Sequence, residues 1–298
     1  MSRTILAVGA DGKFAGLVIP ALAARGATVR GLVRKPESIA QVRDKGAAEV
    51  AVGDLTDLAS IERALEGVTS VFYIAPAFLP HEAEVGKAMV AAAIAAGVKR
   101  FVFSSVIHPV LSGLPNHALK APVEEAVLDS EVEYTFLHPT LFFQNYAGSW
   151  DRLVRTGVLA EPWSNDTRFS RVDYRDVAEV AAIALTEDRL IAGTFELCAP
   201  GWANRHEVAA LASEVLGRHV IAQRVDPATL GPEVAPMRPM FEHYERFGLK
   251  GNALTLTARR LHARAVAVGA RVGSGALTTT YPLGYAVRPA SISGLMDT

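Results

Sequence analysis

Two glycines three residues apart, Gly9 and Gly12 in GADGKFAGLV, follow the apolar run TILAV. Such a pair between a strand and a helix lets the backbone turn tightly against a pyrophosphate, which then rests on the helix N-terminus. The stretch from Gly9 through Ala10, Asp11, Gly12, Lys13 and Phe14 is therefore a candidate phosphate turn. Its third glycine is replaced by Ala15, at a position that packs helix on strand and tolerates alanine, and Gly16 eases the same contact. Asp11 stands where the anion would lie, and two arrangements are open. It faces the pyrophosphate, or it turns away to cap the following helix while Lys13 offsets its charge. Downstream, GLVRKPES ends the second apolar run with Arg34 and Lys35 and no acid for ribose hydroxyls, which suits the extra phosphate of NADP. Asp54 in VGDLTD is placed to accept from an adenine amino group, or to mark a helix start capped by Thr56 or Asp57. In YIAPAF, the small Ala75 and Pro76 let a nicotinamide riboside pass close to the backbone, and Ser104 and Ser105 end the next strand at the same crevice.

A tyrosine acid with a lysine one turn on, Tyr-x-x-x-Lys, as would protonate an alkoxide, is missing, since no tyrosine has lysine four residues on. Lys120 and His117 remain as candidate catalytic residues, Lys120 to bind ribose or polarise an acceptor and His117 to donate a proton near neutral pH. Their structural alternatives are an exposed first-turn lysine of a helix over 121–129 and a loop histidine. Hydride transfer to a quinone or another conjugated acceptor asks less of the protein, because the product anion is delocalised. Phe142, Phe143, Tyr146 and Trp150 are a candidate aromatic lining, with core packing as the alternative. The eight histidines lack ligand spacing with acids or with Cys198, so no metal site is expected, and no Gly-x-Ser-x-Gly elbow occurs. Arg168, Arg171, Asp173 and Asp176 read as structural, Asp176 as a helix cap and the arginines as ties from a small lobe to the sheet.

The elements that must position these residues are written in the periodicity. β-branched runs (TILAV, TVRGLV, EVAV, SVFYIA, RFVFSS, YTFLHP and later GTFELCAP) alternate with alanine-rich helical stretches. Strands without polar alternation are buried on both faces, which argues a Rossmann-type α/β fold, a doubly wound parallel sheet with helices on both faces. Gly26, Gly46, Gly67 and Gly97 stand where left-handed caps end the helices. Residues 1–139 and 173–200 are expected to form the nucleotide domain and 140–172 with 201–253 a small substrate lobe. That lobe contains one clear helix, HEVAALASEVLG, and then a proline-rich linker. From about Leu254 the composition shifts to arginine with no acid until Asp297, and the tail over 254–298 is expected to be poorly ordered. At 298 residues, half of them hydrophobic and with a formal net charge of −1, the chain lacks the basic field of a nucleic-acid binder. One cysteine and the absence of a signal peptide or membrane-length apolar run suggest a cytoplasmic protein. The partners expected are a small-molecule substrate or a regulatory protein, with a homodimer compatible with the sequence.

Taken together, GADGKFAG, LVRKPES, GDLTD, VKRFVFSS and KAPVEEAVLDSEVEYTFLHPTLFFQN resemble the NmrA-like family, an atypical branch of the short-chain dehydrogenases/reductases. The resemblance runs from Thr4 to about Leu254. It implies NADP(H) contacts from Gly9 to Phe14, from Arg34 to Ser38, and at Asp54, Leu55, Ile74, Ala75, Pro76 and Lys120. It extends them to Phe142, Phe143, Gln144 and Asn145. Two departures stand out: the family has Thr at Asp11 and Arg at His138. The family implies either an NADPH-dependent oxidoreductase acting on a small molecule, or a non-catalytic NADP(H) sensor that regulates a protein partner.

Overall fold

The computed structural model of the protein describes residues 4–76 and 79–251. The expectation of poor order from 254 onward falls outside those residues. Among the described residues the strands are β1 Thr4–Val8, β2 Thr28–Val33, β3 Glu49–Val52, β4 Ser70–Tyr73, β5 Arg100–Ser104, β6 Glu133–Pro139, β7 Leu141–Phe142, β8 Val158–Glu161, β9 Arg171–Val172, β10 Gly193–Leu197 and β11 Ile221–Arg224. The helices are α1 Val18–Ala23, α2 Ile39–Asp44, α3 Leu58–Leu65, α4 Glu82–Ala95, α5 Pro115–Ala118, α6 Ala121–Leu128, α7 Trp150–Thr156, α8 Tyr174–Thr186, α9 Arg205–Leu216 and α10 Arg238–Phe247.

Seven strands form one sheet in the order β10-β6-β5-β4-β1-β2-β3. The neighbours from β3 to β6 pair in parallel. This is the doubly wound Rossmann-type order, and the chain reverses direction across the sheet between β1 and β4, where such sheets open a crevice at the strands' carboxyl ends. Strands β4 and β5 are buried along their whole length, which is why they carry no polar alternation. On one face, Ile61 and Leu65 of α3, Met89 and Val90 of α4, and Val123 and Val127 of α6 pack on Leu6, Val8, Val71 and Phe101. Gly86 has no side chain to hold α4 away from Val123 of α6. Helices α1 and α8 pack together, and α8 lies against β4, β5 and β6. The helix-ending glycines Gly26, Gly46, Gly67 and Gly97 adopt φ of 73°, 103°, 72° and 78°, the left-handed caps that the sequence pattern implies. Arg100, 4% exposed, donates to Glu133, to Asp188 and to the carbonyls of Ala184 and Glu187, joining β5 and β6 to the end of α8.

The chain divides into two compact units, the first comprising Met1–Ser112, Asn116–Pro139 and Tyr174–Phe195, and the second Gly113–Pro115, Thr140–Asp173 and the chain from Glu196. In the second, β8 pairs with β11 and β7 with β9. Leu153, Leu159, Ala209, Ala212 and Val220 form its core cluster, and Tyr146 and Trp150 pack against that cluster. These two partly buried aromatics pack as the core alternative expects, against a cluster that includes Ala209 and Ala212 of α9. Helix α9 opens with a capping box between Asn204 and Glu207.

The proline-rich stretch read as a linker contains α10, with a proline in its first turn and Phe241 and Tyr244 buried on one face. Asp176 lies inside the first turn of α8 rather than ahead of it. Arg168 pairs with Glu207 and donates to the Trp202 carbonyl, and Arg171 donates to the Ala203 carbonyl between the Tyr146 and Phe169 rings, all within the second unit.

Candidate functional site

The turn after β1 is built on backbone bonds. Gly9 sits at φ +70°, and the Gly12 amide donates to its carbonyl at 2.8 Å. A Cβ on Gly12 would stand 2.9 Å from that carbonyl oxygen, so the turn has no room for a side chain there. The Ala10 amide donates to the Leu32 carbonyl at 2.9 Å, fixing the turn to β2. Ala15 is 3% exposed, so the third position of the turn carries its methyl in the interior. Gly16 makes room for something else than expected: a Cβ there would stand 2.5 Å from Lys45 Nζ and 3.1 Å from the Ala10 carbonyl.

Asp11 does not cap the following helix. The 3-10 turn Ala15–Leu17 that leads into α1 begins at Phe14 without a side-chain cap, and Asp11 Oδ2 instead accepts from Ser38 Oγ at 2.7 Å. Lys45 is a cation beside it: burial lowers the Lys45 pKa while Asp11 pulls it back up. Lys13 is exposed, with its ammonium 5.8 Å from the Phe14 ring centre, and burial lowers its pKa. Phe14 packs on Tyr174 with ring centres 4.9 Å apart, and the Tyr174 hydroxyl lies 3.0 Å from Ser104 Oγ. Ser104 and Ser105 are both buried, Ser104 bonded to Tyr174 and Ser105 donating to Glu124.

Arg34 and Lys35 are exposed at the end of β2, ahead of the 3-10 turn Pro36–Ser38. Asp54 Oδ1 accepts from the Thr56 amide at 2.9 Å and the Thr56 hydroxyl at 2.7 Å. Those bonds, with Arg34 nearby, hold the Asp54 carboxyl below its ordinary value despite some burial. The cap of α3 is Asp57, which accepts from the Ser60 amide. Leu55 packs on the core cluster, Ala75 is buried, and Pro76 is exposed. Ile74 is half-buried.

Lys120 is 9% exposed at the head of α6 and forms an ion pair with Glu82, which is 2% exposed at the head of α4. It is not an exposed first-turn residue, because α4 presents a carboxylate to it. The Tyr73 hydroxyl, at the end of β4, is buried with no hydrogen-bond partner among the described residues, and burial followed by the Glu82 charge pushes its pKa well above the ordinary range. His117 is also buried, on α5, with Nδ1 3.3 Å from the His108 carbonyl. The His117 carbonyl accepts from the Lys120 amide, but the two side chains go to different partners. His138 Nε2 lies 2.8 Å from Glu124, which also accepts from Ser105. His138 thus takes part in a buried hydrogen-bonded trio. Phe142, Phe143, Gln144 and Asn145 belong to the second unit, where Gln144 donates to Asp173 at 2.7 Å.

The structure therefore brings the glycine turn, Ser38 and Lys45 together, and Arg34 with Asp54. Glu82, Tyr73 and Tyr174 escape sequence reasoning, because no spacing links 82 to 120 or 174 to 14. The donor set at the turn fits a dinucleotide: a side-chain-free backbone approach at Gly12 beside two exposed cations. Among the described residues no three His, Cys, Asp or Glu side chains cluster so as to hold a metal ion, and no helix is long and apolar enough to cross a membrane.

The family model described as the NmrA-like family matches residues 1–257. A (4-alkanoyl-5-oxo-2,5-dihydrofuran-3-yl)methyl phosphate reductase of Streptomyces griseus is 35% identical over 216 residues, 72% of this chain and 74% of that protein. An NAD(P)H azoreductase of Xenophilus azovorans is 29% identical over 221 residues, 72% and 75% of the two chains. Among solved structures, an NADPH-dependent quinone oxidoreductase of Escherichia coli complexed with NADPH superposes with a TM-score of 0.75 at 22% identity, covering 89% of this chain and 99% of that one.

Proposed function

The chain belongs to the NmrA-like family, and from that premise we propose that it binds NADP(H) at the β1 turn and passes hydride from NADPH to a conjugated small molecule such as a quinone. The observation that carries the reading is the turn itself: Gly9 at φ +70°, no room for a side chain at Gly12, and a direct tie from Ala10 to the strand that ends in Arg34 and Lys35. Gly9, Gly12 and the amides between them would hold the pyrophosphate, and Arg34 and Lys35 the 2′-phosphate. When bound, NADPH supplies the hydride.

The protein's own groups favour an acceptor whose reduced form is stable without immediate protonation. Lys120 is engaged by Glu82, and burial raises the pKa of both Tyr73 and Tyr174, so neither resembles a tyrosine activated to protonate an alkoxide. A delocalised product anion removes that requirement. The named substrates of the relatives agree in kind: an azo group, and a dihydrofuran whose ring double bond carries an alkanoyl group and adjoins a ring carbonyl. Steady-state NADPH oxidation with a naphthoquinone, an azo dye and an enal tests the proposal: acceptor-dependent turnover supports it, and tight NADPH binding with no turnover on any of the three refutes it.

A further inference from the structure

Asp11 connects two segments with different duties, the glycine turn after β1 and the 3-10 turn Pro36–Ser38 after β2. Its Oδ2 takes the Ser38 hydroxyl at 2.7 Å, and the Lys45 ammonium is beside it, over Gly16. On the reading that this site binds NADP(H), Arg34, Lys35 and Ser38 are the groups that would meet a phosphate on the adenosine ribose. The Ser38 hydroxyl, however, is already donated to a carboxylate. A negative charge therefore stands one hydrogen bond away from a donor that a phosphate would need, and Lys45 offsets it from the other side.

We infer that Asp11 is a selectivity-determining residue: through Ser38 it opposes the NADPH preference set by Arg34 and Lys35, and so keeps the site open to NADH as well as NADPH. Two physical effects act in the same direction. A hydroxyl bond to a phosphate is charge-assisted and stronger than a neutral one, so withholding it weakens the phosphorylated nucleotide only. Like charges repel through a partly exposed, salt-screened medium, and this too falls on the 2′-phosphate and not on a ribose hydroxyl.

The test compares Asp11→Asn, which keeps an acceptor for Ser38 and removes the charge, with Asp11→Thr, which frees the hydroxyl as well. Dissociation constants are measured for NADPH, NADH, 2′,5′-ADP and 5′-AMP, with melting temperatures to verify folding. Asp11→Thr is expected to tighten NADPH and 2′,5′-ADP about tenfold while NADH and 5′-AMP move less than about twofold. Asp11→Asn is expected to give a smaller gain that shrinks as salt rises. Adding Ser38→Ala to Asp11→Thr is expected to remove part of the gain. Equal tightening of NADPH and NADH would mean that Asp11 faces the pyrophosphate, and would overturn the assignment. So would an unchanged NADPH-to-NADH ratio in both Asp11 variants, although the nucleotide reading would survive. Wild-type protein that binds neither dinucleotide would overturn that reading and this inference with it.

Discussion

The Lys120 ammonium and the Glu82 carboxylate form an ion pair in the interior, joining the head of α6 to the head of α4. Both residues are under a tenth exposed. Removing one partner leaves the other as an uncompensated buried charge, which costs about 3–5 kcal/mol, whereas replacing both with apolar groups of similar size is often neutral. Lys120→Ala and Glu82→Ala are each expected to lower stability by that amount in urea titration, with Lys120→Met/Glu82→Leu recovering most of it. A Lys120→Ala protein of undiminished stability but lost nucleotide affinity would show that the lysine leaves Glu82 to serve the ligand.

Gly12 is the most stringent position of the turn. With a Cβ there 2.9 Å from the Gly9 carbonyl oxygen, Gly12→Ala must open the turn. NADPH affinity is expected to fall at least tenfold, read by fluorescence titration, while the melting temperature changes little, because the sheet core lies on β1 rather than on the turn.

Arg34 gives a different signature. It is exposed, so Arg34→Ala leaves stability unchanged, but a lost guanidinium–phosphate contact is expected to weaken NADPH about tenfold or more and NADH hardly at all. Equal weakening of both would place Arg34 away from the ribose phosphate.

In the second unit, acid should undo the α9 cap. Burial alone would raise the Glu207 carboxyl, but the Asn204 amide and Arg168 outweigh it and hold the pKa below its ordinary value of 4.5. A group with a depressed folded pKa stabilises the fold above its unfolded pKa, and that stability is lost as pH falls through the folded value. Glu207→Ala is therefore expected to cost ~1 kcal/mol near neutral pH. The difference from wild type should disappear in acid below the folded pKa, as measured by melting temperature across pH.

Much of the first unit was legible because local and global signals coincide. TILAV and EVAV are β1 and β3 to the residue, and the four glycine caps fell where the periodicity ended. Helix α10 was hidden because its prolines read as a linker, although Pro239 is tolerated in a first turn where its missing amide is not needed. The site was legible only where it is local. The turn's glycines announce themselves by spacing, but Asp11 meets Ser38 across 27 positions and Lys120 meets Glu82 across 38. Such pairs are set by how β1, β2, α4 and α6 are stacked. His117, by type a proton donor, lies buried on a short helix for the same reason.

The most direct test of hydride transfer is a single-turnover reaction of the protein with NADPH deuterated at the transferred position of C4 and a naphthoquinone. A bound nucleotide that is oxidised on mixing, with a primary isotope effect and at a rate that Gly12→Ala lowers together with binding, is the expected result. NADPH that stays bound and reduced at saturating naphthoquinone, and equally with an azo dye and an enal, would contradict it.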